Sequence, residues 1–399
     1  MRELKERHIP TDLSSEALLA LQLCFIDEPL LPNLKTLECL GVPTLSVPSI
    51  PLFLSPRVTS ISLGFVAPPK AIVASTISSL PTLCPDLHKI TLLFLPKDPM
   101  ITVAVSELLL AINRNNLQKF HVDSPLTEEA SKVIFKLSSL CSISVAVGSE
   151  TSLPSASLPN LTDLVLTCGN NWPRLFHGAT FGNLESVVFF HRSKEIGDFL
   201  ETFKRGALSS SVQNTLSMFN LYTACSWNPH YSSLLPFRQL VDLCIGFSCY
   251  NGCSSTVDDD IIVNLSQAMP KLTALRLGGS PCEQLMMGVT AKGLVALAQR
   301  CPELYTLRVH FQVATLSARP ASPGIGHNTE PTAPWTDCAL KEFEAGKILV
   351  PEESVLKVAL TLLRIFPRIE IIEATDEGWG KVEDAINLSK RIVEVSSKQ

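Results

Sequence analysis

The sequence predicts an α/β solenoid in which parallel strands stack side by side and helices return the chain from one strand to the next. Three observations predict it. Leucine supplies 60 of the 399 residues. A short apolar pattern recurs from Leu34 to Ile369 with a mean period of about 28 residues. Several segments between copies open with acidic or capping residues and close at proline.

The recurring pattern is an apolar residue, two variable residues, an apolar residue, one variable residue and an apolar residue. Its first copies are Leu34–Leu37–Cys39, Val58–Ile61–Leu63, Leu87–Ile90–Leu92, Leu117–Phe120–Val122, Leu140–Ile143–Val145 and Leu161–Leu164–Leu166. It continues as Leu184–Val187–Phe189, Leu216–Phe219–Leu221, Leu240–Leu243–Ile245, Leu272–Leu275–Leu277 and Leu304–Leu307–Val309, with weaker copies at Leu340–Phe343 and Ile369–Ile372. Strand side chains alternate faces, so the last two apolar positions enter the core together and the variable residues between them face solvent. The period lies in the leucine-rich-repeat range. About 13 repeats are therefore expected, wound as a right-handed βα horseshoe whose hollow side carries the variable residues.

Parallel strands need a crossover, and the connections carry helix signals. Asp258–Asp260 opens an apolar run that ends at Pro270, Thr127–Glu129 opens another that reaches Leu137, and Thr290 opens a third that stops at Pro302. Glu352 to Phe366 is a fourth, stopped before Pro367. A solenoid needs capped ends. Residues 1–30 are read as an N-terminal capping region with a helix near Ser14 to Cys24, residues 31–373 as the solenoid, and residues 374–399 as a C-terminal capping helix. The Pro-, Gly- and Ser-rich stretch at about 315–337 is read as a long mobile loop, and Tyr222 to Pro236 as a second insertion.

Composition narrows the function. Lys and Arg number 33 against 38 Asp and Glu, for a net charge of −5 and a pI of about 5.9. A dedicated nucleic-acid binder would show a basic domain, so no nucleic-acid partner is expected. No stretch has the length of a membrane-spanning helix, and the charged start Met1–His8 lacks the apolar core of a signal peptide. Twelve cysteines, several inside apolar strand patterns, read as reduced thiols of a cytoplasmic or nuclear protein.

The chemical inventory is thin. There is no phosphate-binding Gly-x-x-x-x-Gly-Lys, no His-Glu-x-x-His and no Gly-x-Ser-x-Gly. Cys244, Cys249 and Cys253 are the best metal candidates, with Cys225 or Cys282 as further ligands brought near by the solenoid. Structural zinc prefers paired ligands, and buried or loop thiols are the simpler reading. The run Asp258–Asp260 suggests calcium less than it suggests a helix N-terminus. His310 would need a nucleophile beside it to act in catalysis, and its register neighbours Tyr305, Thr306, Thr273, Ala274 and Arg276 supply none. No catalytic residue, cofactor or metal is assigned, and a non-catalytic protein is expected. Its binding residues are sought on the inner face of the strands, at Lys89, Lys119, His121, Asp163, Glu185, Arg276, Tyr305, Arg308 and His310, where Arg and Tyr are frequent interface anchors.

The stretch from Gly288 to Val309 contains Thr290, Gly293–Leu294, a leucine–alanine helix and then Cys301-Pro302-x-Leu304-x-x-Leu307-x-Val309. It resembles the cysteine-containing leucine-rich repeat of F-box proteins. Cys84-Pro85-Asp86-Leu87 is a second copy of the junction, and Pro159-Asn160-Leu161 and Pro270-Lys271-Leu272 are related versions. Residues 31–373 thus resemble the repeat domain of fungal F-box/leucine-rich-repeat proteins, with a ribonuclease-inhibitor-like horseshoe. The resemblance implies a substrate-recognition domain on whose concave face a protein binds. In that family a separate F-box docks on the adaptor of a cullin–RING ubiquitin ligase. Here Ile9 to Leu19 echoes an F-box opening, but the repeats begin by Leu31, so the segment is read as a cap and the F-box as lying upstream or missing. A standalone leucine-rich-repeat scaffold unrelated to ubiquitin is the alternative.

Overall fold

A computed structural model describes residues 29–42, 44–66, 69–112, 115–148, 157–168, 180–191, 199–208, 212–224, 231–248, 257–278, 289–309, 337–346, 350–374 and 377–397, with single positions at 20, 24 and 313. The expected N-terminal capping helix (Ala20 and Cys24 apart), the loop at about 315–337 (Asp337 apart) and His310 lie outside the described residues. The chain divides into two compact units, Met1–Glu185 with Arg205–Ser211, and Ser186–Lys204 with Val212–Gln399.

The strands of the first unit are β1 (Thr36–Val42), β2 (Ser60–Phe65), β3 (Lys89–Leu93), β4 (Lys119–Leu126), β5 (Ser142–Val147), β6 (Ser157–Leu158), β7 (Asp163–Cys168) and β8 (Thr180–Phe181). β1 to β5 and β7 pair in chain order, each pair parallel, while the two-residue strands β6 and β8 pair only with each other. The second unit holds β9 (Ser186–His191), β10 (Met218–Ala224), β11 (Asp242–Ser248), β12 (Ala274–Leu277), β13 (Thr306–Val309), β14 (Glu342–Gly346) and β15 (Ile371–Ala374), again parallel and in chain order. Every strand except β6 and β8 sits on one copy of the sequence pattern, and the pattern's apolar positions are the buried ones. Leu37, Ile61, Ile90, Phe120, Ile143 and Leu164 form one buried row of the first unit; Val187, Phe219, Leu243, Leu275, Leu307, Phe343 and Ile372 form that of the second. Each such burial is worth about 1.5–3 kcal/mol before the entropy of ordering is subtracted.

Helices alternate with the strands. Copies 29 to 32 residues apart carry full helices: α1 (Lys70–Leu83), α2 (Pro99–Ala111), α4 (Phe199–Leu208), α5 (Asp259–Ala268), α6 (Ala291–Arg300) and α7 (Val355–Ile365). Among the described residues, copies 21 to 24 residues apart carry the 3₁₀ segments Thr44–Phe53 and Tyr231–Leu234, the seven-residue α3 (Glu128–Ile134), and the short strands β6 and β8.

Side chains satisfy the N-termini of α2, α3, α5 and α6, whereas α1 and α7 have no side-chain cap. Asp98 accepts the Met100 N–H at 2.9 Å, and Pro99 follows at the first helical position. Thr127 accepts from Ala130. Asp258 accepts the Ile261 N–H at 2.9 Å. Its neighbour Asp259 caps the next helix instead, accepting the Thr290 N–H at 2.8 Å, the Thr290 hydroxyl at 2.6 Å and the Gly293 N–H at 3.1 Å. A Cβ on Gly293 would stand 2.4 Å from the Asp259 carboxylate, so this link between α5 and α6 requires glycine there. The junction cysteines have a packing role. The buried Cys301 thiol donates to the Met269 carbonyl at 3.5 Å, and the buried Cys338 thiol to the Cys301 carbonyl at 3.6 Å.

An aromatic cluster fills the start of the second unit. Phe189 meets Phe199 edge-on at 4.9 Å, and Phe203 lies 5.1 Å from Phe219 and 5.5 Å from Phe237. At its C-terminal end the helix α8 (Glu377–Ser397) buries Trp379 fully, 6.0 Å from Phe343. Among the described residues, no helix is long and apolar enough to cross a membrane.

Candidate functional site: the open faces of the two sheets

Residues that alternate with the buried rows form the open face of each sheet, and strand register places them side by side. In the first unit one row reads Thr36, Ser60, Lys89, Lys119, Ser142 and Asp163, and the next Glu38, Ser62, Thr91, His121, Ser144 and Val165. Lys89 and Lys119 are direct cross-strand partners. Neither is ion-paired among the described residues, whose charged contacts elsewhere are explicit. The His121 ring nitrogen Nε2 lies 2.7 Å from the Ser142 hydroxyl. Burial, and then the Lys119 charge, push His121 down to about 4 against the opposing pull of Asp163, so the ring is neutral at physiological pH. Asp163 accepts the Thr162 hydroxyl at 2.8 Å. Glu185 is exposed, with its N–H given to the Thr162 carbonyl at 2.9 Å.

At the C-terminal end of β3 the backbone turns through Phe94, whose φ is 57°. An aromatic residue rarely adopts this left-handed conformation. The Asp123 carboxylate holds it there, accepting the Phe94 N–H at 2.6 Å and the Leu95 N–H at 3.1 Å. The Phe94 side chain is 66% exposed.

The second unit has a different surface. Its rows read Ser186, Met218, Asp242, Ala274, Thr306, Glu342 and Ile371, then Val188, Asn220, Cys244, Arg276, Arg308, Glu344 and Glu373. Arg308 Nη1 meets Glu344 Oε2 at 3.0 Å, and Arg276 lies between Glu344 at 3.7 Å and Asp242 at 3.6 Å. Thr306 donates to Glu342 at 2.9 Å. Beside these, Phe190 and Tyr222 stack with centroids 5.0 Å apart and planes inclined by 12°, both substantially exposed. Tyr222 lies across Gly246, where a Cβ would come within 2.9 Å of its ring. Burial first, then the neighbouring Cys244 thiol, raise Tyr222 to about 12. Burial raises Asp242 against the pull of Arg276. Tyr305 is exposed at the edge of β13, its N–H given to the Thr273 carbonyl at 2.7 Å.

Of the residues expected from the sequence, the structure brings Lys89, Lys119 and His121 together on one face, and Arg276 and Arg308 together on the other; His310 lies outside the described residues. Cys249 and Cys253 also lie outside them, while Cys244 is buried with its thiol pushed up by burial. Sequence reasoning missed the Phe190–Tyr222 stack and the role of Glu344. The signal for the aromatics was present: each directly follows the last apolar residue of its copy, Phe189 or Leu221. What the two faces offer chemically is charge, hydrogen-bonding groups and aromatic surface.

No family model matches the chain, and no curated protein matches it.

Proposed function

We propose that this chain is a non-catalytic protein-interaction module built as a leucine-rich-repeat βα horseshoe, similar to the substrate-recognition domain of an F-box-type ubiquitin-ligase receptor. The observation that carries the reading is the Phe190–Tyr222 stack beside the paired guanidinium groups of Arg276 and Arg308. Solvent-exposed aromatic rings next to arginines form the usual energetic centre of a protein interface. The junctions Cys84-Pro85 and Cys301-Pro302, with Cys301 in the helix C-cap, support the family reading. The free cysteines fit the reducing cytoplasm or nucleus. Burial raises Cys84 to about 11 and Cys301 to about 12, which keeps these thiols protonated and suits packing better than nucleophilic chemistry.

The test replaces Tyr222 or Ser62 with a photo-crosslinking residue in the full chain and identifies what is captured in cells. A protein captured at either position supports the module, and a cullin adaptor in the same complex supports the ligase role. Capture of a partner with no adaptor favours the standalone scaffold. Absence of any protein adduct at both positions overturns the reading.

A further inference from the structure

We propose that the open face of the first unit binds an extended, acidic segment of a partner protein, with carboxylates over Lys89 and Lys119 and a large apolar residue against Phe94. This rests on the protein-binding reading above and specifies its ligand. Two ammonium groups on directly paired strand positions repel each other, and a fold normally relieves this with a nearby acid. The structure holds none against either lysine among the described residues, although nine other ion pairs are formed elsewhere. His121, two residues along β4, is neutral and adds no further positive charge. The positive field is therefore left for a ligand.

The surface around the lysines suits an extended backbone. Ser60, Ser62, Thr91, Ser142 and Ser144 surround the pair with short hydroxyl side chains, all partly accessible. They make a floor of low relief, with donors and acceptors a peptide can use. The C-terminal strand ends are apolar and exposed instead, at Leu40, Val66 and Phe94. Phe94 is held in its left-handed conformation by Asp123, an arrangement that costs backbone strain and leaves the ring in water. Strain of this kind concentrates where a surface is used.

Distance along the strand specifies the ligand further. Lys89 and Phe94 are five residues apart in sequence, roughly 15 Å along an extended chain. The ligand's acidic pair and its apolar residue should therefore also stand about five residues apart.

The experiment is fluorescence anisotropy on the full chain with labelled synthetic peptides of about twelve residues. The main probe carries Glu-Glu, four Ser or Gly residues and Leu. Controls replace Glu-Glu by Gln-Gln or Lys-Lys, replace Leu by Ser, or move Leu next to the acids; a single-stranded RNA of similar length is a further probe. The main probe is expected to bind most tightly, and to weaken roughly tenfold in the double variant Lys89→Glu/Lys119→Glu, with affinity falling as salt rises. The Lys-Lys peptide should gain affinity for that variant. Phe94→Ala should weaken the Leu peptide several-fold and leave the Ser peptide unchanged. Thermal melts of each variant show whether it is folded; these residues stand on the open face or at its rim, so folding should persist. Equal affinity of wild type and the double variant for the main probe, no binding, or tighter binding of RNA overturns the inference. Main-probe binding lost in Arg308→Glu but kept in the lysine variant also overturns it, while leaving the protein-binding reading intact. Failure of crosslinking at both faces would instead remove that broader reading.

Discussion

In the second unit the arginine pair Arg276–Arg308 is tied down by Glu344 and Asp242, whereas in the first unit the lysine pair Lys89–Lys119 stands in the same cross-strand relation with no carboxylate bound to it among the described residues. Two like charges on adjacent parallel strands meet the same physics in both places. The second unit neutralises them internally, and its half-buried guanidinium groups become part of the structure. The first unit leaves them uncompensated on a floor of serines and threonines. An internally paired charge stiffens a surface, while an unpaired one gives the surface a field that reaches a ligand.

The contrast predicts that the open face of the second unit depends on its carboxylates for stability, and that of the first does not. The largest effect is expected from Asp259→Ala, which removes the acceptor of three hydrogen bonds linking α5 and α6. Loss of about 2–3 kcal/mol in urea unfolding is expected, with the transition of the second unit shifting first. Glu344→Ala comes next, at about 1–2 kcal/mol, because it leaves Arg276 with only the 3.6 Å contact to Asp242 and Arg308 without its ion pair. An unchanged denaturation midpoint for Glu344→Ala would break the comparison at its strongest point.

Acidity separates the units by sign. His121 is held neutral in the fold down to about 4, while in the unfolded chain it protonates near 6.5. Between those values the unfolded state binds more protons, so the stability it contributes is complete above the upper value and lost as pH falls. Asp242 is raised, so over its own window the folded state binds more protons and stability increases on acidification. Melting temperatures followed from neutral pH to about 4 should fall less in His121→Gln than in wild type. Asp242→Asn should remove the opposing gain. Phe94→Gly should stabilise the first unit by up to about 1 kcal/mol through relief of the left-handed backbone, an increase readable in the same melts. The smallest effect belongs to Lys89→Gln, a gain of a few tenths of a kcal/mol that high salt abolishes.

The strand positions were legible because their signal is local. Alternation within five or six residues tells which of Leu37, Glu38 and Cys39 enters the core, and burial in the structure follows that pattern. The lysines and arginines of the open faces were legible for the same reason. The difference between long and short connections was also present in the spacing: the 32-residue step from Leu240 to Leu272 holds α5, while the described connection in the 24-residue step from Leu216 to Leu240 is a 3₁₀ turn. The roles within Asp258–Asp260 were only half readable. Asp258 caps the helix it precedes, as charge at an N-terminus suggests, but Asp259 reaches the helix that begins 32 residues later.

The amino-acid sequence by itself determined where strands begin, which side of each is apolar and which residues stand on the open faces, because those properties depend on neighbours two or three positions away. The tertiary structure alone decided which charges meet. Pairing across strands joins residues 21 to 36 positions apart, as in Thr162 with Cys141 and Thr306 with Glu342, and their distances depend on register and side-chain direction. A sequence shows Glu344 and Asp163 as similar acids; only the packed sheets show that one meets two arginines and the other accepts the Thr162 hydroxyl.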